Sequence, residues 1–141
     1  MSTAPLAQAQ DVARGVLANV SADQLDLDTP CKDWKVRDLI DHMVGAQHWA
    51  RCGVQGAEMT ETGAGSADGD FAAAFDSAAS AALAAFDEDG ALGRTVNPGF
   101  GDMPAPALMG LATTDTFTHA WDLAKATGQD TDLAPELASA L

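Results

Sequence analysis

The sequence contains little positive charge and much negative charge. Seven lysine and arginine residues stand against 21 aspartate and glutamate residues, which gives a net charge of −14 over 141 residues. Such a chain repels the phosphate backbone of nucleic acids and the anionic surface of membranes, so we expect neither as a partner. The acidic residues are dispersed rather than gathered in a tail, which is typical of a solvated surface.

Long hydrophobic runs and a secretory signal are also missing. No segment has the roughly 20 apolar residues that span a bilayer, and the first residues lack a basic start and an apolar block. We therefore expect a soluble, cytoplasmic protein. The two cysteines, Cys31 and Cys52, form no Cys-x-x-Cys motif, and we expect reduced thiols there, with a disulfide as the alternative.

Apolar periodicity predicts four long helices and a short fifth one. The predicted helices run from about residue 4 to 20, from 36 to 52, from 70 to a terminator at Gly90, from 106 to 127, and from 132 to the end. Two connections of roughly 15–20 residues are longer than an up-and-down bundle needs, which favours a bundle with a crossover connection. The fold class is therefore all-α, and we expect residues 1–141 to form one domain.

A carboxylate and an imidazole, Asp115 and His119, stand four residues apart inside an apolar stretch of the fourth helix. Positions i and i+4 share one face of a helix. A buried carboxylate without a partner is costly, so something must compensate it. A shared metal ion would do so, and the alternative is a hydrogen bond between the two side chains.

His42 lies at the edge of the apolar face of the second helix and could meet this pair across the bundle. His48 projects about 120° away from it, and we expect His48 to be exposed. Two imidazole nitrogens and one carboxylate oxygen leave positions open to water or substrate, as in catalytic zinc sites. The same ligands suit iron(II) and nickel(II). The alternative for His42 is a hydrogen-bonded residue without a metal.

Other side chains are secondary candidates. Asp38 or Asp41 could orient the His42 imidazole, and Asp122 is either an acceptor for His119 or a solvated residue. Cys31 could be acidified at a helix N-terminus, but a small buried residue beside a tryptophan is the favoured interpretation. The three tryptophans are expected in the core; they are Trp34, Trp49 and Trp121.

Two blocks of the sequence carry a family resemblance. Thr29-Pro-Cys-Lys-Asp-Trp-Lys-Val-Arg-Asp-Leu-Ile-Asp-His42 resembles the start of the metal-binding N-terminal domain of mycothiol-dependent maleylpyruvate isomerases. The second block that resembles this domain is Asp115-Thr-Phe-Thr-His-Ala-Trp-Asp-Leu-Ala-Lys-Ala-Thr-Gly128. Together they resemble the actinobacterial metal-binding branch of the DinB/YfiT-like superfamily.

The resemblance implies a four-helix bundle in an up-down-down-up arrangement. It implies a divalent metal, zinc first and nickel or iron as alternatives, held by His42, Asp115 and His119. The isomerases have glutamate where this chain has Asp115, so the fourth helix must approach the metal more closely or a water must bridge. The chain shows no counterpart of the isomerases' C-terminal domain, and we therefore do not expect maleylpyruvate isomerisation.

The resemblance also implies a function. We expect a metal-dependent S-transferase or isomerase in which the metal activates a low-molecular-weight thiol, mycothiol, that attacks an electrophilic small molecule. A non-enzymatic metal-binding or regulatory module is the alternative, and a metal-free structural bundle is a third possibility. A homodimer and a monomer are both open.

Overall fold

The computed structural model describes residues 2–141, and helices dominate it. The helices are α1 (Ala4–Ala18), α2 (Val36–Gln55), α3 (Phe71–Asp87), α4 (Ala105–Ala126) and the short α5 (Pro135–Ala140). Strands β1 (Thr95–Val96) and β2 (Met103–Pro104) form a two-stranded antiparallel hairpin between α3 and α4. The predicted all-α bundle is confirmed. No helix in residues 2–141 is long and apolar enough to cross a bilayer.

Local sequence signals set the helix ends. The Asp70 side chain accepts a hydrogen bond from the Ala73 backbone N–H and caps α3. At the other end of α2, Gly56 adopts a left-handed conformation with φ of 68°, which glycine tolerates without steric cost. α2 thus ends at Gln55, three residues past the predicted end at Cys52. α1 ends at Ala18, two residues before the predicted end at Val20.

Two apolar clusters, one at each end of the bundle, define the direction of the helices. One cluster joins the start of α1 and α4 to the end of α2 and α3; its members include Leu6, Val54, Phe86, Ala105 and Leu108. The other joins the end of α1 and α4 to the start of α2 and α3; its members include Leu17, Val36, Leu39, Phe75 and Leu123. The order is therefore up-down-down-up, as the resemblance implied. Each of α1 and α2 packs against both α3 and α4.

A buried polar chain connects all four long helices at mid-height. The Gln10 side-chain amide donates to Gln47 Oε1 and to the Ala79 carbonyl, both at 3.0 Å. The Gln47 amide in turn donates to Thr116 Oγ1 at 2.9 Å. Because an unpaired buried amide is costly, these bonds favour one vertical register of the helices over slipped alternatives.

The crossover connection between α2 and α3, residues 56–70, packs closely against α2. The Asp41 carboxylate accepts hydrogen bonds from the backbone N–H groups of Gly65 (3.1 Å) and Ala67 (2.8 Å). Gly63 lies so close to α2 that a Cβ atom there would come within 1.7 Å of the Asp41 carbonyl oxygen and 2.6 Å of the Gly45 nitrogen. Only glycine fits this contact, which fixes the connection beside His42.

We expect Gly63→Ala to lower the free energy of unfolding by about 2–3 kcal/mol, because the connection must lift away from α2. Gly69→Ala in the same connection is the matched control, since nothing lies within 4 Å of its virtual Cβ. Urea denaturation followed by circular dichroism measures both variants. Equal stabilities would show that the connection is not held against the helix as described.

Candidate metal centre

The facing halves of α2 and α4 bring three potential metal ligands together. His42 lies in the second turn of α2, and Asp115 and His119 share one face of α4. Nε2 of His42 lies 3.4 Å from Asp115 Oδ1, and Nε2 of His119 lies 3.3 Å from the same oxygen. The two imidazole rings meet edge to face, with centroids 4.7 Å apart. The predicted ligand set is thus one cluster, although its role as a metal site remains a prediction.

The spacing of the donor atoms fits a single cation. All three donor atoms lie within 4.8 Å of one another. At metal–ligand distances of about 2.0–2.1 Å, neighbouring ligand atoms of a tetrahedral zinc site lie about 3.3–3.4 Å apart. The distances from Asp115 Oδ1 to the two imidazoles match this edge length. Asp115 therefore reaches both histidines directly.

Asp122 orients the His119 imidazole. Its carboxylate oxygen lies 3.1 Å from His119 Nδ1, and only 11% of the Asp122 side chain is exposed. Because a carboxylate only accepts hydrogen bonds, Nδ1 carries the hydrogen, and the lone pair of a neutral ring is left on Nε2, facing Asp115 and His42. Of the two predicted roles for Asp122, the structure therefore supports the hydrogen-bond acceptor.

Trp34 packs against both imidazoles, with ring centroids 4.9 Å from His42 and 5.9 Å from His119. The residue stands directly before α2, so the chain entering that helix closes one side of the cluster. This packing restricts the rotamers of both rings, which is what a preorganised ligand set needs. Trp34 is thus part of the site rather than only of the core.

The cluster is electrostatically coupled. Burial alone would raise the pKa of Asp115, but hydrogen bonds from His119 and His42 outweigh it and hold that pKa well below its usual range. The hydrogen bond to Asp115 is the main cause that raises the pKa of His119, and burial opposes it. In the metal-free protein the carboxylate of Asp115 and the imidazole of His119 therefore stabilise each other's charged forms.

An open cleft of about 1130 Å³ adjoins the cluster. Its floor is one face of α2 and one face of α4, and its rim comes from the crossover connection and the β1–β2 hairpin. The lining side chains include the three clustered residues together with Trp34, Trp49, Met59, Phe100, Leu111, Thr114 and Thr118. The volume is large enough for two small molecules side by side.

Several secondary candidates have other roles. Asp38 accepts a hydrogen bond from the Lys35 backbone N–H at the start of α2, and Asp41 holds the crossover connection, so neither orients His42. His48 was expected to be exposed, but its side chain is only 13% exposed and lies 3.5 Å from Glu61. The crossover connection covers His48. A helical wheel of α2 does not predict a contact with a loop.

Like Trp34, the other two tryptophans depart from a purely core position. Trp49 lines the cleft, and Trp121 is 38% exposed. Cleft residues that the sequence did not single out include Met59, Phe100 and Leu111. Leu111 had a usable signal, because it stands four residues before Asp115 on the same helical face. Met59 and Phe100 lie in loops, where periodicity carries no information.

The comparisons with known proteins bear on the same region. The profile of the mycothiol maleylpyruvate isomerase N-terminal domain matches residues 6–124. The chain belongs to this family. It is 46% identical over 135 residues to two uncharacterised proteins of Mycobacterium tuberculosis, MT0763 of strain CDC 1551 / Oshkosh and Rv0738 of strain ATCC 25618 / H37Rv. The alignment covers 93% of this chain and 70% of each relative. No solved structure matches the chain significantly.

In this family member a second group of donors overlaps the first. Cys31 Sγ lies 3.2 Å from Asp122 Oδ2 and 3.9 Å from His119 Nδ1. Burial first, and then the Asp122 carboxylate, raise the pKa of the Cys31 thiol to about 11, which contradicts the acidified cysteine, the less favoured of the two interpretations. A protonated thiol is a poor ligand, and of this group only His119 lines the cleft. The group of His42, Asp115 and His119 is therefore the better candidate for a cation site.

For the metal-free protein we expect His119 to titrate above 6.5, the ordinary pKa of histidine. Asp115→Asn should bring that pKa down, because it removes the largest stabilising contact of the imidazolium. Since protonated Nε2 cannot bind a cation, metal affinity should rise with pH through the raised pKa. Histidine NMR titration measures the shift, with Asp132→Asn as a remote control. An unchanged His119 pKa in Asp115→Asn would contradict the pairing.

We expect Cys31 to react slowly with iodoacetamide. At pH 8 a thiol whose pKa is raised from 9.0 to about 11 has a thiolate fraction on the order of a hundredfold smaller. Peptide mass spectrometry of the folded and urea-unfolded chain gives the two rates. Asp122→Asn should accelerate the folded reaction, since it removes the nearby negative charge. Equal folded and unfolded rates would contradict the protected thiol.

Proposed function

We propose that this protein is a metal-dependent enzyme that uses a low-molecular-weight thiol, mycothiol, as co-substrate in a transfer or isomerisation reaction. The observation that carries the proposal is the convergence of His42, Asp115 and His119 on one point at the edge of a large cleft. Membership of a mycothiol-related family supports the identity of the thiol. Zinc is the first choice of metal, with nickel or iron as alternatives.

A divalent cation at this point would lower the pKa of a coordinated thiol, so that its thiolate is available near neutral pH. The chain's own residues would supply the rest of the site. His42, Asp115 and His119 would hold the cation, and Asp122 would keep the His119 lone pair directed at it. Thr114 and Thr118, which line the cleft, offer hydroxyl groups to a polar thiol carrier.

One observation favours a non-enzymatic metal-binding module as a second candidate. The two carboxylates on the α2 wall of the cleft, Asp38 and Asp41, already accept hydrogen bonds from backbone N–H groups. A general base on that wall would have to give up such a bond. The proposed enzyme needs only an activated thiol and no further base. The lack of a free base therefore does not separate the two candidates, whereas catalytic turnover does.

Calorimetric titration with Zn²⁺ and Ni²⁺ tests the ligand set. We expect one ion per chain in the unmodified protein and binding at least about a hundredfold weaker in His119→Ala, since even residues that only orient metal ligands contribute 10–100-fold. His48→Ala is the matched control, because His48 is a histidine of α2 outside the cluster. Equal uptake by the unmodified protein and His119→Ala would refute the assignment.

Thiol consumption with a generic electrophile, 1-chloro-2,4-dinitrobenzene, separates the two candidates. Turnover that depends on added metal and is abolished by a chelator is the result expected of the enzyme. Metal uptake without turnover would favour the non-enzymatic module. Absence of stoichiometric metal, both after purification without chelators and in the titration, would favour a metal-free bundle in which Asp115 and His119 only bond each other.

A further inference from the structure

One end of the cleft is an apolar wall whose distance from the candidate ligands follows from helix geometry. Trp49 stands seven residues after His42 on α2, and Leu111 stands four residues before Asp115 on α4. At 1.5 Å per residue these offsets are about 10 Å and about 6 Å along the helix axes. The wall therefore begins within one small molecule's length of the point where the donor atoms converge.

The β1–β2 hairpin places an exposed aromatic ring on this wall. Phe100 is 67% exposed, and its ring stacks against Trp49 with centroids 6.3 Å apart. The turn that presents it is ordered: Trp49 Nε1 donates to the Pro98 carbonyl, and Asn97 Oδ1 accepts from the backbone N–H of residues 99 and 101. Phe100 is thus held in a defined position while most of its side chain faces solvent.

Exposed apolar side chains gather at this wall. Six large hydrophobic residues in residues 2–141 are conspicuously exposed, and three of them, Met59, Phe100 and Leu111, line the cleft. They come from three separate parts of the chain: the crossover connection, the hairpin and α4. A cluster of this kind on an otherwise charged surface is typical of a site that receives an apolar ligand.

The permanently charged side chains that line the cleft are all negative, and its two imidazoles, those of His42 and His119, contact Asp115. Four carboxylates line the cleft, those of Asp33, Asp38, Asp41 and Asp115, and across the described residues no lysine or arginine does. Two basic residues at the start of α2 are engaged elsewhere, since Lys35 bonds Asp28 and Arg37 bonds Asp26 and Asp68, and Lys32 does not line the cleft. A substrate carboxylate would meet no lysine or arginine here, and the imidazoles already contact Asp115, so its burial costs binding free energy.

We propose that the electrophilic substrate is neutral or positively charged and carries a compact apolar or aromatic body that rests on Trp49, Phe100, Leu111 and Met59. The cleft discriminates against carboxylates and dicarboxylates. The identity of this molecule as the electrophile rests on the proposed thiol chemistry, whereas its binding to the wall does not. The distance of the wall from the ligand cluster suits a body of one or two fused rings.

Three naphthalene derivatives that differ in charge test the proposal: 1-naphthalenemethanol, 1-naphthylmethylamine and 1-naphthoate. Each is titrated into the full chain in the presence of a chelator, and the indole N–H signals of Trp49 and Trp121 are followed by NMR. We expect the neutral and cationic compounds to shift Trp49 and to bind at least about tenfold more tightly than 1-naphthoate at low salt. Trp121, outside the cleft, should not shift.

Two pairs of variants localise the effect. Phe100→Ala should weaken binding of the neutral compound severalfold, and Leu27→Ala, at an exposed apolar residue outside the cleft, should not. Asp33→Asn should reduce the difference in affinity between the neutral and the anionic compound. Asp132→Asn should leave that difference unchanged. 1-Naphthoate binding as tightly as the alcohol, or no saturable shift of Trp49 by any compound, would overturn the proposal. Thiol turnover does not enter this measurement, so its absence would count only against the proposed function.

Discussion

The half-buried carboxylate of Asp115 is the constraint around which the site is arranged. A carboxylate at a helix–helix interface is stable only where polar partners replace the water it has lost. The imidazoles of His42 and His119 do so from two different helices, and both reach the same oxygen. The second half of α4 must therefore lie beside the first half of α2, which the up-down-down-up order provides.

The elements around this carboxylate hold it in one geometry. Trp34 packs on both imidazoles from the chain that enters α2, and Asp122 accepts the remaining N–H of His119. The Gln10–Gln47–Thr116 chain favours one register of the helices, and the contact of Gly63 with α2 fixes the connection that borders the cleft. Site geometry and bundle packing thus depend on the same two helices.

The sequence predicts the parts of this structure that periodicity governs. Helical spacing places Asp115 and His119 on one face. The recurrence of apolar residues every three or four positions predicts α2 and its buried side. The up-down-down-up order came from the family resemblance, because two long connections alone are compatible with several bundle topologies. The family and the all-α bundle are confirmed, while the metal itself remains a proposal.

The features that the sequence did not predict depend on contacts between distant parts of the chain. His48 is covered by a crossover connection whose path has no periodic signal, and the apolar wall takes Met59 and Phe100 from loops. The Cys31 thiol faces a carboxylate 91 positions away in sequence, so its pKa rises rather than falls. The effect of a helix N-terminus can be anticipated from sequence, but a carboxylate brought in by the fold cannot.

The central claim, that one cation is bound by two imidazoles and one carboxylate, is tested most directly by X-ray absorption at the zinc edge of the zinc-loaded protein. We expect only nitrogen and oxygen neighbours at about 2.0–2.1 Å, with the multiple-scattering pattern of two imidazoles that becomes that of one in His42→Ala. A sulfur neighbour at about 2.3 Å, or a spectrum unchanged by His42→Ala, would place the ion on Cys31 or elsewhere and contradict the account.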